Sequence, residues 1–112
     1  MDRTILQQIE ELLNAPTSGA DAPTLARMEA TLTEGYAQAL ALEAERWRLE
    51  RRLGEVAHEA QGEGPSDLAE ELVSLAQRMK RADGELRTLR ALLGSLQVRA
   101  RKARHGARKS GV

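Results

Sequence analysis

Along two long stretches of the chain an apolar residue recurs at alternating steps of three and four, and this spacing limits the fold more than any other feature. The first series is Leu25, Met28, Leu32, Gly35, Ala39, Leu42, Arg46, Leu49, Leu53, Val56 and Ala60. The second is Leu68, Leu72, Leu75, Met79, Ala82, Leu86, Leu89, Leu93, Leu96, Ala100 and Ala103. Steps of three and four average 3.5 residues, which keeps one stripe of a helix turned toward a partner helix; a strand would alternate every two. About five heptads in each series, with Arg46 the one charge, predict two long helices packed as in a coiled coil.

The run 61–67 separates them. Gly62 and Gly64 permit a tight reversal, Pro65 bars continuation of a helix, and Ser66, or Asp67 with Glu70, can cap the next one. So short a connection makes the helices antiparallel neighbours, an expected hairpin over 23–105. Folding the series about Gly64 sets Gly35 against Leu93, Ala39 against Leu89, Leu53 against Leu75 and Arg46 against the small Ala82. Ahead of the hairpin, Ile5, Leu6, Ile9, Leu12 and Leu13 predict a short amphipathic helix within 1–14, capped by Asp2. Pro16 and the polar stretch that follows make 15–22 a linker.

Composition agrees with this plan. The 112 residues allow one small domain, and one Trp, one Tyr and no Phe leave little for a core that is not built from Leu and Ala. There is no cysteine, hence no disulfide framework, and no apolar run approaches the ~20 residues of a membrane span. No secretory signal is evident at Met1-Asp2-Arg3, and the expected location is cytoplasmic.

Residues off the seam suggest association. Tyr36, Leu40 and Trp47 on the second segment, with Val73 and Leu92 on the third, form a second apolar stripe that a lone hairpin would leave wet. Either the first helix folds back over it through Ile5, Ile9 and Leu12, or another copy covers it. In the folded register, flanking positions bring Glu45 near Glu85, Arg52 near Arg78 and Glu59 near Glu71. Like charges disfavour that intramolecular pairing. A register shifted by one heptad would relieve them, at the cost of a longer loop and more exposed Val56 and Ala60. A second hairpin could pair acid with base, which favours a homodimeric bundle with two-fold symmetry the default. Arg46 either pairs with Glu43, Glu50 or Asp83 to fix register, or lays its stem over Ala82 and its head in water.

The 17 basic and 17 acidic residues cancel but are unevenly spread. Residues 1–45 hold eight acids and two bases, whereas from Leu86 onward there are eight bases and no acid. Arg99, Arg101, Lys102, Arg104, Arg108 and Lys109 end the chain, with 106–112 expected as a disordered basic tail. Such a cluster supports a helix C-terminus and solubility, contacts phosphates of a nucleic acid, or meets an acidic protein. No aromatic is interleaved with these bases, which argues against stacking on single strands.

Catalytic and metal patterns are thin. His58 has no second histidine one turn on, Glu55 and His58 give a single Glu-x-x-His spacing, and Glu10-Glu11 and Glu70-Glu71 point to different helix faces. The run of Gly62, Glu63, Gly64 and Pro65 is a turn rather than a phosphate cradle, because proline removes an amide donor. No enzyme, cofactor or metal site is expected. In size and hairpin plan the chain is similar to small secreted helical-hairpin proteins with a Trp-x-Gly turn, but Trp47-Arg48-Leu49 falls mid-helix. It is similar to the small flagellar export chaperones in architecture alone, so no family is assigned. The expectation is an all-α, coiled-coil-like antiparallel hairpin with a short N-terminal helix, self-associating as a structural or adaptor protein through Tyr36, Leu40, Trp47 and Leu92. The alternative is a small nucleic-acid-associated protein acting through its basic end.

Overall fold

The computed structural model describes residues 3–60 and 66–110. They form three helices: α1 (Ile5–Asn14), α2 (Leu25–Ala60) and α3 (Ser66–Ser110). The chain folds into two compact units. The first combines Met1–Ala39 with Thr88–Val112, and the second is Leu40–Arg87. In both, α2 and α3 run antiparallel, as the paired seams require.

In the first unit α1 is a third element. Its N-cap is Thr4: the Thr4 hydroxyl accepts from the Gln7 amide at 3.2 Å while the Gln7 side chain accepts from the Thr4 amide at 3.1 Å. This reciprocal box sets the helix start, because a Thr with Gln three residues on satisfies two orphan donors together; Asp2, the expected cap, lies outside the described residues. Ala15 is extended at φ −72° and ψ 157°, the conformation that Pro16 imposes on the residue before it. Gly19 takes φ 92° in the linker, where a side chain would be strained. Thr24 then caps α2, its hydroxyl accepting from the Arg27 amide at 3.1 Å.

The first unit's core joins Ile9 and Leu12 of α1 to Met28 and Leu32 of α2 and to Leu89, Leu93 and Leu96 of α3, all buried. Gly35 lies at their meeting point. A Cβ there would overlap Leu93 Cδ2 and sit 3.5 Å from Ile9 Cδ1, so a bare backbone is what lets the helices close. The expected facing of Gly35 and Leu93 is present.

The second unit is a two-helix hairpin whose core is Leu49, Val56, Leu75 and Ala82. Leu53, Leu68, Leu72 and Met79 pack against it and stay half-buried. The expected turn, 61–67, is shorter than its sequence suggested: Ser66 and Asp67 already belong to α3, and 61–65 lie outside the described residues. At its far end α3 continues through Ser110, where a disordered tail was expected from 106. Alanines at 100, 103 and 107 and bases near a C-terminus both favour helix.

Candidate interaction surfaces

The flanking charges of the hairpin correct the sequence expectation. Glu45 Oε1 meets Arg78 Nη2 at 3.5 Å, and Arg52 Nε donates to Glu71 Oε1 at 2.9 Å. At these two positions the α2 residue pairs with an α3 residue seven positions from the expected one, and that residue has the opposite sign. The expected clashes of Glu45 with Glu85 and of Arg52 with Arg78 therefore give way to attraction, while Glu59 and Glu71, also expected to clash, both lie against Arg52. Arg52 also reaches Glu55 at 3.2 Å and Glu59 at 3.9 Å. Hydrogen bonds to Glu71 first, then Glu55, hold its proton more tightly than an isolated guanidinium would. Of the three acids within reach of Arg46, Asp83 is taken: Arg46 Nε lies 2.5 Å from Asp83 Oδ1 as an ion pair, and the Nε makes no hydrogen bond.

In the first unit Arg99 spans from α3 to the end of α1. Its Nη1 donates to the carbonyls of Leu12 at 2.5 Å and Leu13 at 2.6 Å, and its Nη2 to those of Ala15 and of Pro16, the latter at 2.8 Å. A helix leaves its last carbonyls without partners and carries partial negative charge there, and a planar guanidinium satisfies both needs. Backbone carbonyls leave no mark in a sequence, so this role was hidden behind the reading of Arg99 as an anion contact. Arg104 is likewise engaged, its Nη2 2.7 Å from Glu29 Oε1.

What remains outward divides by unit. Leu40 and Trp47 are 67% and 68% exposed in the second unit, seven residues apart on one face of α2, with exposed Ala44 between. Val73, also in that unit, is exposed. In the first unit Tyr36 and Val98 are exposed, while Leu92, expected beside Leu40 and Trp47, is half-buried. Val98 was missed because it lies alone on its face of α3. Arg101, Lys102 and His105 are exposed there too, and among the described residues no hydrogen bond or ion pair engages Arg101 or Lys102. Arg108 and Lys109 fall within α3, their side chains outside the description.

An open cleft of about 170 Å³ over Ala82 is lined by Leu42, Glu45, Leu49, Arg78, Arg81 and Glu85, a set that holds neither a nucleophile nor a histidine. Among the described residues no three acidic or histidine side chains gather where they could hold a metal ion, and no helix is long and apolar enough to cross a membrane. Comparison with protein-family models, with curated proteins and with solved structures finds no match.

Proposed function

We propose that the protein is a non-enzymatic structural or adaptor module that docks a helix on the outer face of α2 in its second unit, and that the occupant is a second copy of the same chain. The observation that carries this reading is the exposure of Leu40 and Trp47 on one helix face. Leaving two large apolar side chains wet forgoes about 1.5–3 kcal/mol for each. A two-fold antiparallel contact between α2 helices sets Leu40 of each copy over Ala44 of the other, large against small. The flanking charges lend no support, since Glu45 and Arg52 already have opposite partners within the hairpin. The apolar face alone supports the second copy.

The test is light-scattering mass after size exclusion, for the full chain and for Trp47→Glu and Leu40→Glu. The expected result is a dimer mass that falls to the monomer in both variants while helicity by circular dichroism is unchanged. A monomer mass for the unaltered chain at tens of micromolar would overturn the second-copy reading.

A further inference from the structure

The second unit has a further face that the Leu40 and Trp47 contact leaves open. At one seam position Leu49 and Val56 of α2 and Leu75 and Ala82 of α3 are buried. At the other, Leu53 of α2 and Leu72 and Met79 of α3 stay half-buried. The difference is one of side. Glu45–Arg78 and Arg52–Glu71 bridge the helices along one flank, each from the position just before a half-buried seam residue. Residues four apart share a helix face, so the opposite flank holds what stands four on from those seam residues: Glu50 and Ala57 on α2, Ala76 and Asp83 on α3. Ala57 and Ala76 are exposed and too small to cover Leu53, Leu72 and Met79, which leaves an apolar groove along that flank.

The margins of the groove carry opposite charge. On the α2 side stand Glu43 and Glu50, seven apart; on the α3 side stand Lys80 and Arg87, also seven apart. Glu50, Lys80 and Arg87 are exposed, and among the described residues no hydrogen bond or ion pair engages them. In the register that sets Arg46 against Ala82, Lys80 is level with residue 48 and Arg87 with residue 41. Each base is therefore within two residues, about 3 Å along the axis, of the height of an acid on the other margin.

A second copy answers this pattern. A two-fold axis parallel to the helices keeps every residue at its height and carries α2 of one copy over α3 of the other. Glu50 then meets the partner's Lys80 and Glu43 the partner's Arg87, each twice over. Leu53, level with residue 75, falls in height between the partner's Leu72 and Met79, beside the small Ala76. A two-fold axis across the helices would instead set acid on acid and base on base, so charge selects the first. In it every neighbouring helix is antiparallel, as in an up-and-down bundle.

We infer that this groove is a second self-association surface, where the second units of two copies close into a four-helix bundle about an axis parallel to their helices. It goes beyond the α2 contact and uses neither Leu40 nor Trp47. Its apolar side chains are already half covered and have less to gain, so it closes at a concentration about tenfold higher than the α2 contact.

The experiment is light-scattering mass of the full chain carrying Trp47→Glu, which isolates the groove, from about 10 μM to about 1 mM. The expected mass is that of a monomer at the low end, rising to a dimer at the high end. Adding Glu50→Lys, or adding Lys80→Glu, turns two attractions into two repulsions and weakens the dimer about tenfold. Adding both together restores it, and neither residue has a partner within the chain whose loss would disturb the fold. A monomer throughout the range overturns the inference and leaves the groove to a different protein. So do single charge reversals that leave the mass unchanged, or a double reversal that fails to restore it. Failure of the α2 contact reads differently: the unaltered chain and Trp47→Glu would then share one mass at every concentration, while the charge reversals still act.

Discussion

The two units are built from the same pair of helices, yet they bury their seams differently. In the first, where α1 joins α2 and α3, Ile9, Leu12, Leu89, Leu93 and Leu96 are each at most 2% exposed. In the second, Val56 is fully covered, but Leu53, Leu68, Leu72 and Met79 remain half-wet at the same kind of position. Two cylinders touch along a line, and a residue beside that line stays open on its outer side until a third element covers it. The first unit supplies that element from its own chain. The second supplements a thinner core with charge, ringing it with Glu45–Arg78, Arg46–Asp83 and Arg52–Glu71. Such half-exposed pairs give register more than stability, since each is worth only about 0–1 kcal/mol.

The sharpest way to break this contrast is to cut equivalent holes in the two cores. Leu96→Ala, in the three-helix unit, empties a site with no solvent access and is expected to cost about 3–4 kcal/mol. Met79→Ala, in the two-helix unit, removes a side chain already partly in water and is expected to cost about 1–2 kcal/mol. Urea unfolding followed by circular dichroism reads both. Equal losses would show that the hairpin's core is as dry in solution as that of the three-helix unit.

A second effect, somewhat smaller, concerns how the third helix is held. Arg99→Met keeps the stem of the side chain but strips four carbonyls of their donor, and is expected to cost about 1.5–3 kcal/mol, the range for hydrogen bonds to a charged group. The loss falls on α1: amide exchange in Ile5–Asn14 quickens, while exchange in α2 residues of the second unit does not change. Arg99→Lys restores only part of the protection, because an ammonium cannot span carbonyls as a fork does. Uniform quickening across both units would mean that α1 is not separately anchored by this residue.

How far these features were legible in the sequence follows from where their signals lie. The hairpin and the facing of Gly35 with Leu93 were readable because a period of 3.5 is written in the residues themselves. The flanking pairs of Glu45 and Arg52 were misassigned because each has two candidate partners on α3, seven residues apart, and spacing does not choose between them; sign does. The Thr4–Gln7 box was present in the sequence, but Asp2 offered a plausible cap two residues earlier. Arg99 was unreadable in principle, since its partners are main-chain carbonyls with no residue identity. Of the proposed surface, Leu40 and Trp47 were readable as apolar positions off the seam, whereas Leu92 looked equivalent and is half-buried.

The smallest expected effect uses glycine as a probe of spare room in the two units. Gly54 and Gly84 sit mid-helix in the second unit with nothing within 4 Å of where a Cβ would be. Each lowers helix propensity without a packing reason inside the chain, so Gly54→Ala and Gly84→Ala are expected to stabilise by about 0.5–1 kcal/mol apiece. Gly35→Ala gains the same propensity but forces its new methyl group against the Leu93 side chain, itself 2% exposed and confined by Ile9. Overpacking of that kind costs about 1–3 kcal/mol, so the net change at Gly35 is a loss of about 0.5–2 kcal/mol. Thermal unfolding of the three single variants separates the cases by sign. A stabilising Gly35→Ala would mean that α1 and Leu93 yield freely, which is incompatible with a tightly closed three-helix core.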